Sequence, residues 1–538
     1  MVTRVETQTE LLLTARTAHV RQDWHASYEA FVRASEAVPL NTDDLDALAA
    51  AAWRLGRGKE SVRAAERVFT QLSRTDPQSA AMKAVELGLA WINRGDLNIG
   101  QGWMSRAHRL LDAAPEGPPH GYLAYLDAAV AVFSEGPEEL RSRVMALRGI
   151  CGRVDDPAVT ALCRLAEAVA AILDARMTEA FGLLDEALLP VLAGQVPIEW
   201  AGDIYCTVVH YCHRLADLPR MRAWTQSMER WCDDFAASAT YGGICDVHRL
   251  QLLATTNDYR RLQDRLAAVS RSLEDVNIWA AGEGYYQLGE VRRLLGDDEG
   301  ALVAFARARE LGADPQPGEA LLRCRMGDLD TAWTDLRLAL AGEDRIGRMR
   351  LLRAAVDVAL VRGDLDEAEM HCDELESGAE VFGTPGFRAW AAHARGAILG
   401  QQGRHAESLD ALRASLREYR TQQSRYETAQ VYEWMAVAHK ALGDDALAAA
   451  DAATAENIYA QLGVEPAQVC GHGSPGDLTP REIEILRRIA GGATNKQVAE
   501  QVCISEKTVG RHLANIYAKL GVSSRTAAVA CAHANNLL

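Results

Sequence analysis

Basic and amide side chains lie at helical spacing near the end of the chain, on a segment that begins at Ser505. Ser505 is a favourable N-cap, and the apolar residues after it recur every three or four positions, which predicts one buried helix face. The opposite face carries Lys507, Arg511 and Lys519, whose cationic groups suit the phosphates and base edges of DNA. We predict contacts with double-stranded DNA from eight residues: Thr494, Lys496, Ser505, Lys507, Thr508, Arg511, Asn515 and Lys519.

Gly510, Ala514 and Ala518 leave one stripe of this helix almost bare. A bare stripe would let the helix axis lie close to the floor of the major groove, although a mid-helix glycine costs about 0.5–1 kcal/mol relative to alanine. Arg511 lies beside the stripe, and Arg can donate two hydrogen bonds to one guanine. Arg511 is therefore predicted to read a base, whereas the lysines and Thr508 are predicted to contact phosphates.

Capping signals divide the last sixty or so residues into four short helices. Thr479 with Glu482, and Thr494 with Gln497, match the capping box that begins a helix. A three-residue turn, 503–505, separates the second helix from the third. Two helices joined by so short a turn predict a helix-turn-helix, in which the later helix enters the major groove.

The same residues resemble a known family. The segments LTPRE, NKQVAEQVCISEKTV and RHLANIYAKLGVSSRTAA are similar to the C-terminal DNA-binding domain of LuxR-type (GerE-like) regulators. Many members have Lys at the position of Gly510, where it often touches DNA, so the resemblance implies one contact fewer here. The resemblance also implies a homodimer formed through the fourth helix. Small residues there suit close helix packing: Ala527, Ala528, Cys531 and Ala534.

Charge separates this segment from the rest of the chain. Residues 478–538 hold eight Lys and Arg against four Glu, a net charge of +4. The whole chain carries −17, so residues 1–477 carry −21. A basic island on an acidic chain is what phosphate binding requires. The charge therefore favours DNA binding over the alternative of a helical bundle that does not bind DNA.

Residues 1–465 contain internal helical repeats. The clearest copy, YYQLGEVRRLLGDDEGALVAFARARELGADP at 285–315, follows the tetratricopeptide pattern, with Gly296 at the turn between two helices. A turn of Gly followed by Asp or Arg recurs at positions 327, 363, 403 and 443. We predict an α-solenoid of about twelve or more helix pairs, with an irregular helical domain as the alternative.

The predicted fold class is all-α, in three parts. A tetratricopeptide-like α-solenoid spans 1–465, a linker rich in Gly, Pro and Ser spans 466–477, and a small four-helix helix-turn-helix domain spans 478–538. A flexible linker means that the solenoid need not hold the DNA-binding domain in one orientation.

Aromatic side chains in the repeats are candidates to line a small-molecule pocket on the concave face. Pockets are mostly apolar with a few polar groups, and seven residues fit that description: Tyr122, Tyr125, Trp200, Tyr205, Trp279, Tyr285 and Tyr286. Aromatics at repeat positions more often form the core, so both interpretations stay open.

Cys and His side chains cluster between residues 200 and 248. Their spacings match no zinc pattern, so we predict no metal site. Oxidation sensing would need exposed thiols of lowered pKa. The favoured interpretation is that these cysteines act as small buried hydrophobes in a tight helix stack.

Several function classes lack support in the sequence. There is no GxxxxGK[ST] loop, and no nucleophile, acid–base pair or cofactor loop stands out, so we expect neither an enzyme nor a cofactor. The start, MVTRVETQTELLL, does not resemble a signal peptide, and no run of about eighteen apolar residues predicts a membrane span. We expect a cytoplasmic protein with free thiols.

These features predict a cytoplasmic, homodimeric transcriptional regulator. The repeats would sense a small-molecule or protein effector, and the third helix of the C-terminal domain would read an operator. The alternative is a repeat scaffold that binds a protein partner, such as RNA polymerase or an antagonist, and tethers it to DNA. A small molecule that co-purifies with the protein would separate the two.

Overall fold

The computed structural model describes residues 7–134, 136–234, 239–256, 258–342, 344–464, 478, 480–502, 509–510, 512–513, 516–517, 520, 522 and 524–534. Over these residues the chain forms helices and turns, without strands, and the predicted all-α class is confirmed. No helix in these ranges is long and apolar enough to cross a membrane.

Twenty-four helices follow one another between residues 8 and 462 of the described chain, and each packs against the next. They form twelve successive pairs, as the repeat pattern predicts. Their bounds are α1 (Gln8–Val20), α2 (Trp24–Ala37), α3 (Thr42–Arg54), α4 (Gly58–Thr75), α5 (Pro77–Asn93), α6 (Leu97–Leu111), α7 (Pro118–Ser134), α8 (Pro137–Cys151), α9 (Pro157–Leu173), α10 (Met177–Leu192), α11 (Ile198–Arg214), α12 (Leu218–Asp234), α13 (Ala239–Leu253), α14 (Tyr259–Leu273), α15 (Ile278–Leu294), α16 (Asp298–Glu310), α17 (Gly318–Arg325), α18 (Leu329–Gly342), α19 (Arg345–Arg362), α20 (Leu365–Phe382), α21 (Pro385–Gln401), α22 (His405–Gln422), α23 (Arg425–Ala441) and α24 (Asp445–Leu462).

The pair α15 and α16 shows why one repeat forms. Gly296 between them has a φ of +81°, a left-handed conformation that glycine adopts without strain. Asp297 then caps α16, because its carboxylate accepts a hydrogen bond from the backbone N–H of Gly300 at 3.0 Å. Gly289 lets the two helices approach closely, since a Cβ there would lie 2.5 Å from the fully buried ring of Phe305.

Distant repeats also touch one another. The Lys59 Nζ atom lies 3.0 Å from the Asp275 carboxylate, 216 residues further along the chain. Arg222 donates a hydrogen bond to the carbonyl oxygen of Gln422 at 3.1 Å, across 200 residues. The array of helix pairs therefore coils into a superhelix whose successive turns contact each other and enclose an internal space.

Three helices of the C-terminal domain are described: α25 (Pro480–Ala490), α26 (Asn495–Gln501) and α27 (Arg525–Ala534). The predicted capping box of Thr494 and Gln497 begins α26. Thr479 and the predicted linker lie outside the described residues. Buried side chains form one apolar core: Leu478, Ile485, Leu486, Ile489, Val498, Ala499, Val502, Val509, Leu513, Ile516, Ala528 and Ala532.

Candidate functional site

The candidate DNA interface begins at the start of α26. The Thr494 backbone N–H donates to Gln497 Oε1 at 2.8 Å, and the Gln497 N–H donates to Thr494 Oγ1 at 3.3 Å. Thr494 is exposed, and so is Lys496, two positions further along the chain. An exposed cation at a capped helix start can approach a phosphate, which is the role predicted for Lys496.

The predicted reading helix has its apolar face in the domain core. Val509, Leu513 and Ile516 are helical and buried, at the spacing of four and three residues that the sequence pattern predicts. Gly510 is exposed, and a Cβ added to it would meet no other atom within 4 Å. Six of the predicted DNA contacts lie outside the described residues: Ser505, Lys507, Thr508, Arg511, Asn515 and Lys519.

Arg525 at the start of α27 holds the α25–α26 corner in place, a role that sequence reasoning did not identify. Its Nη1 donates to the Asn495 Oδ1 atom at 3.1 Å, and its Nη2 donates to the carbonyl oxygen of Ala493. Arg525 therefore fixes where α26 begins relative to α27.

The residues predicted to form a dimer interface lie on both sides of α27. Ala527 and Cys531 are partly exposed, so they can contact a second chain. Ala528 is fully buried in the core of its own domain, where it packs against the other helices of that domain. The side chain of Ala534 lies outside the described set.

An internal cavity of about 1260 Å³ lies inside the superhelix. It is lined mainly by the odd-numbered helices from α5 to α23, which form the inner layer. Polar lining residues recur every three or four positions, so each helix turns one polar stripe toward the cavity. The stripes include Asp203, Thr207, His210 and Arg214 on α11, Glu283, Gln287, Glu290 and Arg293 on α15, and Arg350, Arg353 and Asp357 on α19.

The aromatic residues predicted to line a pocket divide between this cavity and the core. Tyr125, Trp279 and Tyr286 line the cavity. The other four lie away from it, packed between helices: Tyr122, Trp200, Tyr205 and Tyr285. Their contacts are those of core residues. The ring centroids of Tyr122 and Trp200 lie 4.7 Å apart. The Tyr205 hydroxyl lies 3.0 Å from Ser227 Oγ, and the Tyr285 hydroxyl donates a hydrogen bond to Glu274 at 2.6 Å.

The carboxyl groups that line the cavity include three on different helices: Asp203 on α11, Glu283 on α15 and Glu427 on α23. The Tyr125 hydroxyl donates to Asp203 at 2.6 Å, and burial raises the pKa of Asp203 to about 6. Burial also raises the pKa of Glu427. Glu283 accepts a hydrogen bond from Gln251 Nε2 at 3.4 Å. We refer to these three groups as the cavity carboxyls.

Three of the four histidines that line the same cavity are uncharged rings: His210, His213 and His248. Burial lowers the pKa of His210 to about 4 and that of His213 to about 3. Burial lowers the pKa of His248 as well, and its Nδ1 lies 3.2 Å from Gln251 Oε1. Within the described ranges, no group of three or more Cys, His, Asp and Glu side chains is arranged to hold a metal ion.

The thiols of the 200–248 segment differ, since a hydrogen bond with Cys245 lowers the pKa of Cys232. Burial raises the pKa of Cys206 and of Cys212, which makes both poor nucleophiles. The raised pKa values of Cys206 and Cys212 fit the interpretation of these two cysteines as buried hydrophobes, and the lowered pKa of Cys232 does not.

Sequence reasoning did not single out the cavity carboxyls. The signal was present as polar residues at helical spacing on helices that are otherwise apolar, such as Glu283 and Glu290 on α15. A polar stripe of this kind on an inner helix indicates a face that lines a cavity, not a face that packs in the core.

Comparison with known families bears on the C-terminal domain. Residues 477–532 match the GerE family model, described as bacterial regulatory proteins of the luxR family. The resemblance predicted from the residues of this segment is confirmed.

Individual relatives are also transcriptional regulators by name. The transcriptional regulatory protein LiaR of Bacillus subtilis is 52% identical over 61 residues, which cover 11% of this chain and 29% of that protein. The HTH-type transcriptional regulator Mb0914c of Mycobacterium bovis is 32% identical over 219 residues, which cover 35% of this chain and 24% of that protein. The second alignment is longer than the C-terminal domain, so it includes part of the helical repeats.

These alignments span 29% and 24% of the length of the two relatives. Among solved structures, the crystal structure of the APC/C hetero-tetramer Cut9–Hcn1 superposes with a TM-score of 0.44 and 13% identity, over 84% of this chain and 94% of that chain. The superposition is loose and carries no functional implication.

Proposed function

We propose that this protein is a sequence-specific DNA-binding transcriptional regulator whose helical repeats bind an effector in their internal cavity. One observation carries the proposal: a LuxR-family domain at residues 477–532 follows a superhelix that encloses a polar cavity of about 1260 Å³. The domain supplies the means to bind DNA, and the cavity supplies a place for a signal to bind. We place the protein in the cytoplasm, where its DNA target lies.

In this proposal the helix that contains Val509 and Leu513 enters the major groove, with its buried face held by the domain core. Arg511 reads a base, while Lys507 and Lys496 bind phosphates. Because phosphate contacts release counterions, DNA affinity falls steeply as the salt concentration rises. The acidic residues 1–477 repel DNA, which confines binding to the basic domain.

The regulator acts as a homodimer in this proposal. The partly exposed residues Ala527 and Cys531 on α27 allow a second copy to pack close to the helix. A two-fold dimer requires two half-sites related by the same symmetry, so the operator is expected to be roughly palindromic. An effector in the cavity would shift the equilibrium between dimer arrangements that fit and do not fit those half-sites.

The testing experiment is selection of bound sequences from random DNA with the full-length protein, at moderate salt. Enrichment of a palindromic motif is the expected result. Arg511→Ala should relax the preference at one base pair, while Lys507→Ala should weaken binding to every sequence alike. Lys440→Ala, which removes an exposed lysine of α23, serves as the matched control and should change neither. If no motif is enriched, either with or without added cell extract, the proposal is contradicted and the scaffold alternative is favoured.

A further inference from the structure

We propose that the cavity of the superhelix binds an organic cation, a ligand with at least one charged nitrogen and an apolar or aromatic body. The inference rests on the proposed function, because it names the chemical class of the effector.

The arginines of the cavity are already neutralised by neighbouring groups. Arg293 Nε lies 2.9 Å from Glu290 Oε1, and Arg353 forms an ion pair with Asp357. Two further lining arginines reach carboxylates just outside the cavity: Arg214 to Asp344 and Arg325 to Asp298. An anionic ligand would have to compete with a carboxylate for each of these guanidinium groups, which disfavours anions.

Arg350 is placed differently. Its guanidinium lies 4.8 Å from the centroid of the Tyr286 ring, and its Nη2 donates to the carbonyl oxygen of Gln316 at 2.9 Å. The ring face and the carbonyl oxygen both carry negative charge density, so this cation is also stabilised by the protein.

The cavity carboxyls are not held in ion pairs of this kind. No Lys or Arg among the described residues forms an ion pair with Asp203, Glu283 or Glu427. Burial is the main cause of the raised pKa of Asp203 and of Glu427, and at Glu427 the charges of Arg353 and Arg293 offset only part of it. A cationic ligand would supply the missing charge, and it would be attracted most strongly in this low-dielectric interior.

The other lining groups suit a cation as well. His210 and His213 are neutral, so they do not repel a positive charge, and a neutral ring nitrogen can accept a hydrogen bond from an ammonium group. The Trp279 side chain lines the cavity and is 42% exposed, and tryptophan is the aromatic residue that attracts cations most strongly.

The ligand must also have an apolar part. At the end of the cavity formed by α7 and α9 the lining is almost entirely aliphatic: Leu126, Ala128, Ala129, Val130, Val132, Leu165, Ala166 and Val169. The volume of about 1260 Å³ exceeds the range of about 300–1,000 Å³ usual for small-molecule sites. A metal ion alone would use neither the size nor the apolar wall.

Two dyes with the same xanthene skeleton and opposite charge provide the test. Tetramethylrhodamine ethyl ester is a cation, and fluorescein is an anion at mildly alkaline pH. Fluorescence anisotropy with the full-length protein is expected to show saturable binding of the cation and much weaker binding of the anion. Glu283→Gln and Glu427→Gln should each reduce affinity for the cation by about tenfold, as expected for one charge pair in a partly screened interior.

The matched control is Glu299→Gln, which removes an exposed carboxylate on α16 outside the cavity and should leave the affinity unchanged. Circular dichroism and melting curves establish that each Gln variant is folded. Equal affinity for both dyes, no saturable binding of the cation, or cation binding that the two cavity variants leave unchanged would each overturn the inference.

The same samples separate this inference from the proposed function. Binding of the cation with no change in affinity for the selected DNA motif would support the cation site and contradict its role as the effector site. A selected DNA motif without binding of the cation would support the regulator and overturn the cation site.

Discussion

The backbone N–H of Gly386 donates a hydrogen bond to the carbonyl oxygen of Ala216 at 3.1 Å, although 170 residues separate them in sequence. A Cβ on Gly386 would lie 2.3 Å from the Cβ of Ala216 and 2.4 Å from its carbonyl oxygen. Only glycine therefore allows this approach of α21 to the end of α11. The contact joins successive turns of the superhelix and helps to close the cavity, which Ala216 also lines.

Gly386→Ala should destabilise the protein by about 1–3 kcal/mol, because the added methyl group must push two packed backbones apart. Chemical denaturation measures the loss, and small-angle scattering should show a wider superhelix. Gly342→Ala is the control, since a Cβ at Gly342 meets no atom within 4 Å and the change should be neutral or slightly stabilising. Equal effects of the two substitutions would contradict the closure of the superhelix through Gly386.

Asp203→Asn should stabilise the protein at neutral pH. The folded-state pKa of about 6 lies above the ordinary value of 3.8, so folding disfavours the ionised carboxylate. Relative to the Asn variant, the wild type should lose about 3 kcal/mol of unfolding free energy as the pH rises from about 3 to about 7, of which about 2 kcal/mol is lost between pH 4 and 6. Asn can still accept the hydrogen bond from Tyr125. Urea unfolding of both proteins across this pH range measures the difference, and a constant difference would refute the prediction.

His213→Asn should protect the protein from mild acid. The folded-state pKa of about 3 lies below the ordinary value of 6.5, with burial as the main cause and the charge of Arg350 adding to it. Below pH 6.5 the His213 ring is therefore protonated in the unfolded chain but not in the folded chain. The wild type consequently loses stability as the pH falls. Between pH 6.5 and 5 this loss is about 2 kcal/mol for one histidine. If both proteins lose the same unfolding free energy over that interval, His213 is not the group responsible.

Gly510→Lys should strengthen DNA binding without regard to sequence. The position is exposed and a Cβ there meets no atom within 4 Å, so the lysine is accommodated and adds one phosphate contact. The plot of log affinity against log salt concentration should steepen by about 0.9. Gly510→Ala is the control, because it should stabilise the helix by about 0.5–1 kcal/mol and leave the salt slope unchanged. A steeper slope in both variants would assign the effect to helix stability instead of charge.

Features that depend on neighbours in sequence were predictable. The turn at Gly296 and Asp297, and the capping box of Thr494 and Gln497, form from residues within a few positions of each other, and both occur in the structure. The buried spacing of Val509 and Leu513 has the same local origin. The aromatic residues were predicted less well, because an aromatic side chain has the same local pattern whether its helix face meets the core or a cavity.

The sequence by itself determined that this chain is a series of paired helices followed by a LuxR-family DNA-binding domain, since caps, turns and helical periodicity are local properties. Only the tertiary structure decided that Asp203, Glu283 and Glu427 face one cavity. Their placement depends on the rotation between successive helix pairs, which accumulates over many repeats until distant turns meet. Small differences in each pair's packing set that rotation, so a contact such as Gly386 with Ala216 is a property of the whole array and not of any segment.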